Sequence, residues 1–493
     1  MTIKAKALQH LLHKGRAFDI AGAVTTVGIV HYRRGSFCAN SLVLGEWGIC
    51  LRLRTELFEV GASRDSLGLT LALACAGSFA VAMTLIGVSP YYGAFYVTSM
   101  LTGFLLAARL RPGDFCYSRS VVVFSILILT LMAFFVQNVL ATDAAPSQLD
   151  NFSRIILGSI NGGFFIALFG RQRDRLYGFI VAIALAHAMV AILVAFFESL
   201  PGETLRMTVR AGGDTNPIPF SEMLAISAGI VAIAAIGYRS AFPSFWRLPL
   251  LVGFLAMALG ALILTGSRGT LIVIFPLAIL MAAAREKPLH PLGVLAAIGV
   301  ILVIGAALSP FVFSRMSLLF ADAADLLAGE GTGGLSNSVR IRIDLWSHAL
   351  ELASRRPMLG YGLGSFPQVL KDPSLAIPAD SPLWHFNHVH NQYLDLLLET
   401  GLIGLGLFMS VIGISLWAGF RALRDPPRRI IGLTLIWVAS SYSIFGLSTT
   451  FMAHSTTSHH FGVLIGMLFW CVAYRDDRGW TFRGWRDAQI ART

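Results

Sequence analysis

Charge is scarce in this sequence of 493 residues, of which only 13% are charged, about half the share of an ordinary soluble domain. Because 55% of the residues are hydrophobic instead, a soluble globular protein is excluded. The period-two alternation of membrane barrel strands is also missing. A segment that crosses a bilayer must satisfy its own backbone hydrogen bonds, so the long apolar runs predict an all-α polytopic membrane protein.

Cysteine and acidic residues are scarce as well. None of the five cysteines falls in a loop that we place on the outer, oxidising side of the membrane, and no C-x-x-C spacing occurs, so neither a disulfide nor a cysteine metal site is predicted. Lys and Arg outnumber Asp and Glu by 38 to 27, but they form short clusters between apolar runs. That distribution is typical of topology signals and of contacts with membrane lipids, and it argues against a nucleic-acid partner.

Twelve apolar windows are near the length needed to cross a bilayer core of about 30 Å. The first 65 residues precede them and are predicted to be a cytoplasmic or interfacial leader, because residues 18–31 are too short for a span and no signal-peptide cleavage site follows. The windows lie at about 67–88, 91–110, 120–140, 152–170, 176–198, 218–238, 247–265, 269–284, 291–311, 392–420, 428–449 and 461–474.

Positive charges between these windows predict the orientation in the membrane. With a cytoplasmic N-terminus, every predicted cytoplasmic loop contains Arg or Lys, whereas the outer loops at 89–90, 141–151 and 450–460 contain neither. This agrees with the positive-inside rule, so both termini are placed in the cytoplasm. The predicted parts are spans one to nine at 66–311, an extracytoplasmic loop subdomain at 312–391, spans ten to twelve at 392–474 and a cytoplasmic tail at 475–493.

Arginines on the predicted outer face break this charge pattern and are therefore candidates for function. The 312–391 loop holds most of them, and a loop of this length is uncommon without a function. Its sequence predicts a helix near 314–328, a flexible GEGTGG at 329–334 and a second helix near 338–355. The outer positive residues are Arg206, Arg210, Arg268, Arg315, Arg340, Arg342, Arg355, Arg356 and Lys371.

The strongest local signal is the sequence HFNHVHNQYLDLLLETGLIGLGLF at 385–408, where the loop enters a span. A helix that starts near Asn391 would bury two carboxylates, Asp395 and Glu399, one turn apart. Ionisable groups at that depth are costly and usually face a cavity or a partner. Gly401 and Gly404 would let a neighbouring helix approach closely.

This segment resembles the signature of the O-antigen ligase and O-antigen polymerase family, which is His, then Asn, Ser or Gln, nine residues and Gly-x-x-Gly. His390, Asn391, Gly401 and Gly404 match it. The sequence TGSRGT at 265–270 resembles the family arginine at an outer helix start. RAGGDTNPIPFSEML at 210–224 resembles its Arg-x-x-Gly and Asn-Pro segment, and residues 340–366 resemble its Arg-rich helix and Gly-x-Gly turn. The resemblance covers roughly residues 67–474.

The resemblance implies a GT-C-like, inverting glycosyltransferase of the bacterial inner membrane that uses no metal or other cofactor, with its active site facing the periplasm. Its donor would be a glycan linked to undecaprenyl pyrophosphate. Its acceptor would be a sugar hydroxyl, on lipid A–core for a ligase or on another glycan for an O-antigen or exopolysaccharide polymerase. The sequence leaves these acceptors open.

The residue types suit that reaction. We predict that His390 is the general base, since its pKa can lie near working pH. We predict that Arg268 and Arg340 act in catalysis by binding the pyrophosphate, because a guanidinium matches phosphate oxygens bidentately and the helix start at Arg268 adds unpaired N–H groups. Asp395 or Glu399 would orient His390. The predicted substrate-binding residues are Arg210, Arg342 and Asn391.

Other interpretations stay open. His385, His388 and His390 could bind a metal ion, although their spacing suits an irregular loop. A second histidine group at 454–460 is predicted to be a polar outer loop. A multi-span transporter of a polysaccharide or small anion is the alternative function; it predicts inverted repeats and ionisable groups at the bilayer centre, and only Asp395 and Glu399 favour it.

Overall fold

The computed structural model describes residues 26–31, 42–44, 49–54, 119–142, 173–198, 216–237, 244–284 and 337–473, with the single residues 149 and 317. The chain divides into two compact units, residues 1–71 and 72–493. Several predicted features lie outside the described residues: the spans at 67–88, 91–110, 152–170 and 291–311, the helix near 314–328, the tail at 475–493 and Arg210.

The first unit contains a small antiparallel sheet. Its strands are β1 (Thr26–His31), β2 (Leu42–Leu44) and β3 (Ile49–Arg54), and β3 lies in the middle. Thr26 pairs with Arg54, and Leu42 pairs with Leu51. Valine, isoleucine and threonine are frequent in these strands, and such residues favour a pleated surface. The sequence analysis predicted a leader at residues 1–65 without any strand, and the structure adds this three-stranded sheet to it.

From residue 119 onward the described elements are helices, as predicted. Five are long and apolar enough to cross a membrane: Ser120–Thr142, Tyr177–Glu198, Pro217–Gly237, Gln392–Ala422 and Thr456–Ala473. The chain is a multi-pass membrane protein, and the count of twelve spans stays a prediction. The helices are α1 (Arg119–Thr142), α2 (Arg173–Glu198), α3 (Pro217–Gly237), α4 (Ser244–Leu264), α5 (Arg268–Leu271), α6 (Ile274–Ala284), α7 (Asn337–Arg355), α8 (Phe366–Val369), α9 (Gln392–Ala422), α10 (Arg429–Phe445) and α11 (Ser455–Ala473).

Two predicted elements differ from the structure. The span predicted at 269–284 is divided into α5 and α6, because Pro276 has no N–H for the carbonyl of Ile272 and its ring crowds that carbonyl. The polar loop predicted at the second histidine group is wrong: α11 already begins at Ser455, and His459 and His460 are buried in it. The polar sequence STTSHH at 455–460 has low hydropathy, so an apolar window does not include this first turn and a half of α11.

The core of the second unit lies where α10 packs against α3, α9 and α11. The indole N–H of Trp437 donates to the Ile226 carbonyl at 2.9 Å. Gly229 makes room for this fully buried indole, since a Cβ there would overlap its ring. The helix prediction near 338–355 is confirmed by α7, which packs against α9. Around α7 a second apolar core contains Leu345, Ala349, Leu352, Phe366, Leu370, Leu375, Leu383, Val389 and Leu398.

Candidate active site

The first glycine of the Gly-x-x-Gly motif breaks α9. Gly401 has φ 65° and ψ −169°, outside the helical region. The break frees backbone groups on both sides of it, and the segment 357–362 pairs with them. The bonds run from Leu402 N–H to Pro357 O at 2.8 Å, Ile403 N–H to Met358 O at 3.4 Å, Tyr361 N–H to Leu398 O at 3.0 Å and Gly362 N–H to Glu399 O at 2.8 Å.

Glycine is required on both sides of this contact. A Cβ on Gly401 would overlap the Met358 carbonyl, and a Cβ on Gly360, which has φ 70°, would overlap the Glu399 carbonyl. Positive φ is also cheap only for glycine. Gly404 of α9 packs against α1, where an added Cβ would be 2.9 Å from the ring of Phe134. The predicted close approach is therefore confirmed, with a loop at Gly401 and a helix at Gly404.

Asn138 of α1 completes the contact. Its amide donates to the Leu359 carbonyl at 3.1 Å and to the Glu399 carbonyl at 3.5 Å, and its Oδ1 accepts from Leu363 N–H at 3.0 Å. The side chain is 5% exposed. One buried amide thus ties α1 to the 357–362 segment and to the break in α9.

The two predicted carboxylates are both buried and hold the loops that flank the motif. Asp395 Oδ1 accepts from the Val389 N–H at 3.0 Å. Glu399 accepts from the backbone N–H groups of Gly364 and Phe366. Asp395 therefore contacts the backbone of the residue that precedes His390.

His390 lies in a strained turn directly before α9. Its φ of 55° is left-handed, a conformation that costs a non-glycine residue on the order of 1 kcal/mol and is frequent at functional sites. Asn391 follows as the N-cap, and its Oδ1 accepts from the N–H groups of Tyr393 and Leu394 at 3.0 and 3.1 Å. The predicted helix start near Asn391 is confirmed, and the cap fixes where the turn ends.

Three imidazoles meet at this turn. The ring centroids of His388 and His390 are 4.3 Å apart, and those of His388 and His454 are 5.6 Å apart. The ring of Phe386 lies 5.2 Å from that of His390, nearly perpendicular to it. His390 is thus held between two ring edges, and His454, predicted as part of a polar loop, contributes from the start of α11.

Burial is the main reason why the pKa of His390 falls from 6.5 to about 3, and the nearby His388 and Arg342 lower it further in that direction. Burial, and then His454, lowers the pKa of His388 to about 4. The same effect of burial lowers the pKa of His454. These imidazoles are therefore neutral near pH 7, the form that can accept a proton.

Residues 446–454, which we call the backing segment, lie behind the motif. Gln392 N–H donates to the Gly446 carbonyl at 2.8 Å, and the Asn391 amide donates to the Leu447 carbonyl at 3.2 Å. On its other side Ser448 lies against Gly269, where a Cβ would be 2.7 Å from the Ser448 hydroxyl. The backing segment therefore joins the start of α9 to α5, whose first residue is Arg268.

The structure brings some of the predicted site residues together. His390, Asn391 and Arg342 share one region, and Arg268 begins the helix on the far side of the backing segment. Arg342 is partly exposed and donates to Ser338 Oγ at 2.9 Å. Arg340 is exposed on α7, and a two-residue spacing turns it away from the face of Arg342. Arg342 is thus an α7 arginine whose charge acts on His390.

Two other arginines that were predicted to lie on the outer face have structural contacts. Arg355 donates to Asp372 at 2.8 Å and to Glu351 at 2.7 Å. The guanidinium of Arg356 lies 4.7 Å from the ring centre of Tyr361. These contacts tie the end of α7 to the following turns, so neither arginine is a candidate ligand for phosphate.

Sequence reasoning missed Asn138 and Glu222, and it assigned His454 to a polar loop. Asn138 and Glu222 are single polar residues inside apolar helices, and a polar residue at that depth is a signal for a partner. Glu222 is 1% exposed and accepts a hydrogen bond from Thr449 of the backing segment at 2.7 Å. For His454 no local signal exists, because its partner His388 is 66 positions earlier in the chain.

Known proteins are similar to this chain in the region that contains the candidate site. The O-antigen ligase family model matches residues 252–409, which include Arg268, Arg342 and the motif. A Rickettsia conorii protein named "Putative polysaccharide ligase" is 34% identical over 73 residues, which are 14% of this chain and 18% of that protein. A Rickettsia felis protein of the same name is 28% identical over 127 residues, which are 23% and 31% of the two chains. The chain therefore matches less than a third of either relative, and the predicted resemblance is confirmed within residues 252–409.

Proposed function

We propose that this protein is an inner-membrane glycosyltransferase of the O-antigen ligase type. It moves or polymerises a glycan from an undecaprenyl-pyrophosphate-linked donor onto a sugar hydroxyl, at the periplasmic face and with both termini in the cytoplasm. The observation that carries the proposal is the place of His390, in a left-handed turn directly before a helix that is long enough to span a membrane, where the charge of Arg342 acts on the imidazole. A helix end lies at the membrane surface, where the pyrophosphate of a lipid carrier also lies.

In the proposed reaction His390 takes the proton of the acceptor hydroxyl. The hydroxyl oxygen bonds to the anomeric carbon from the face opposite the leaving group, so the configuration inverts. The bond from that carbon to the pyrophosphate oxygen breaks, and the pyrophosphate leaves with the electron pair. Arg342 and Arg268 would neutralise its charge without a metal ion, with Arg340, Arg210 and Asn391 as further substrate-binding residues.

The low pKa of His390 fits a base that becomes stronger when the donor binds. With a pKa of about 3, the imidazole is a weak base in the empty site. Burial is the largest cause of this low pKa, and the positive charge of Arg342 is a smaller one. A pyrophosphate bound by Arg342 would offset that smaller contribution, and its own negative charge would raise the pKa of His390. Proton transfer would then follow donor binding, so that the acceptor is activated beside a bound donor.

Complementation tests this function. The chain is expressed in strains that lack either an O-antigen ligase or a polymerase, and lipopolysaccharide ladders are read on gels. Rescue of the ligase strain indicates lipid A–core as acceptor, and rescue of the polymerase strain indicates another glycan. Rescue of neither, by a chain that is present in the membrane, would contradict the proposal.

Variants then test the residue roles in the assay that the wild type rescues. We expect His390→Gln to reduce transfer by about 10²–10⁴-fold, the usual range for a general base, whereas His385→Gln, an exposed histidine five residues away, should act as wild type. Arg342→Lys and Arg268→Lys keep the charge but lose the guanidinium fork, so both should lower transfer. Full activity of His390→Gln would exclude the base role.

A transporter is the second candidate, because the bundle contains buried ionisable side chains besides Asp395 and Glu399. His187 bonds to Ser227 Oγ at 2.8 Å, and its ring lies 5.8 Å from that of His460 in α11. Such groups within spans are typical of ion pathways. Glycan uptake into proteoliposomes without any covalent transfer would favour transport over the enzyme.

A further inference from the structure

Glu222 is a buried carboxyl group that the proposed reaction does not use. It lies in α3, five residues after the helix begins, and is 1% exposed. Its Oε2 has no hydrogen-bond partner among the described residues. Burying a carboxyl group is costly unless it is bonded, so the hydrogen bond that it makes within the described part of the chain is informative.

That contact is with the backing segment. Thr449 Oγ lies 2.7 Å from Glu222 Oε1 and 3.0 Å from the Phe445 carbonyl. The threonine is also buried, at 7% exposure. Glu222 is thus the side chain through which α3 is hydrogen-bonded to the backing segment in the described part of the chain.

Two routes lead from Thr449 to His390. In the first, the neighbouring Leu447 carbonyl accepts from the amide of Asn391, the residue after His390. In the second, the backing segment ends at His454, whose ring lies 5.6 Å from that of His388, which lies 4.3 Å from that of His390. A shift of the backing segment would therefore move both the cap and the ring edge that hold His390.

The backing segment is also fixed to α9 by one residue at two points. Gln392 N–H donates to the Gly446 carbonyl at 2.8 Å, and Gln392 Oε1 accepts from Met452 N–H at 2.9 Å. Thr449 lies midway between these points, where Gln392 makes no bond. The contact with Glu222 is thus the side-chain anchor in the middle of the backing segment.

We propose that Glu222 is a positioning residue for His390, which acts through Thr449 by holding the backing segment against the start of α9. This inference rests on the proposed function, since it takes His390 as the group to be positioned. It assigns to Glu222 a hydrogen bond rather than a charge. The bond links α3, whose first two turns belong to the 210–224 segment, to the turn that holds the base.

Three single variants and one double variant separate the bond from the charge. Glu222→Gln keeps an oxygen and an N–H group that can bond to Thr449, whichever of the two partners donates. Glu222→Leu and Thr449→Val remove the bond from either side with side chains of similar size. The double variant Glu222→Leu/Thr449→Val shows whether the two residues act as one unit.

The direct measurement is the rate at which diethyl pyrocarbonate modifies His388 and His390 at pH 7, followed by mass spectrometry on the full-length chain in detergent. We expect Glu222→Leu, Thr449→Val and the double variant each to raise both rates by the same factor of about five, the population change expected for one lost hydrogen bond. Glu222→Gln should react as wild type. His187, which lies in α2 and is buried against α3, should stay unreactive in all four variants.

Activity gives a second measurement where the wild type transfers glycan. Glu222→Leu should lower kcat with little change in KM for the lipid-linked donor, because the base is displaced while the arginines stay in place. Glu222→Gln should keep the wild-type kcat. This rescue by an uncharged residue is not expected of a site that must carry charge.

The proposal is overturned by any of three results. These are unchanged reactivity of His388 and His390 in Glu222→Leu, a Glu222→Gln variant as impaired as Glu222→Leu, and a reactive His187, which would mean general loosening of the bundle. Failure of the proposed function is a different result. It would appear as full activity of His390→Gln, while the diethyl pyrocarbonate rates would still report on the contact.

Discussion

The two parts of α9 on either side of Gly401 differ in their acidic residues, their burial and their contacts. Before the break, Asp395 and Glu399 are buried and bonded to the backbone of two loops. After the break the helix has no acidic residue and exposes large apolar side chains, such as Leu402 at 53% and Phe420 at 56%. The first part builds a site and the second presents a surface suited to lipid. One apolar run in the sequence therefore forms two helical parts with different roles, and Gly401 separates them.

The largest effect on stability should come from replacing the glycine at that break. In Gly401→Ala the new Cβ overlaps the Met358 backbone, which cannot rotate away as a side chain could, and φ 65° adds strain. We expect a loss of more than about 3 kcal/mol in the free energy of unfolding, seen as a low yield of folded protein in detergent and a lower thermal midpoint.

Gly406→Ala is the matched control for this prediction. It lies in the second part of α9, and nothing lies within 4 Å of its added Cβ. An alanine in a helix is favoured over glycine by about 0.5–1 kcal/mol, so the control should be as stable as wild type or slightly more so. Equal stability of the two variants would mean that the break at Gly401 is not required.

Much of this difference could be predicted from the sequence, and some of it could not. The helix start at Asn391, the burial of Asp395 and Glu399 and the close approach at both glycines follow from local spacing. The break itself does not, because it depends on Met358–Gly362, a segment whose backbone bonds replace those of the helix. Glu222 was missed, and His454 was assigned to a polar loop, for a similar reason. Their partners are distant in sequence, and no local pattern indicates such a pairing.

A smaller effect should come from pH, and it should act on the turn before the first part of α9. In the unfolded chain His390 binds a proton near its ordinary pKa of 6.5, whereas burial, His388, Arg342 and His454 keep the folded side chain neutral down to about pH 3. Between these values the unfolded state binds more protons, so stability falls as pH falls. From pH 7 to pH 5 this one group should cost at most about 2 kcal/mol.

The thermal midpoint of wild type and His390→Gln in detergent at pH 7 and pH 5 checks this sign. Wild type should lose more stability than the variant on acidification, because glutamine has no proton to bind. His388 and His454, which remain in both proteins, should still give the variant some pH dependence. A steeper loss in His390→Gln than in wild type would mean that His390 is not held neutral in the folded state.

The smallest effect should come from the second part of α9. Trp417 is 49% exposed, and the guanidinium of Arg421 lies 5.4 Å from its ring centre. Trp417→Leu keeps an apolar surface and loses this contact, which at an exposed site is worth about 0.5–1 kcal/mol. The thermal midpoint should fall slightly, and glycan transfer should equal that of wild type. If Trp417→Leu impaired transfer as much as His390→Gln, the second part of α9 would also belong to the site, and the contrast across Gly401 would fail.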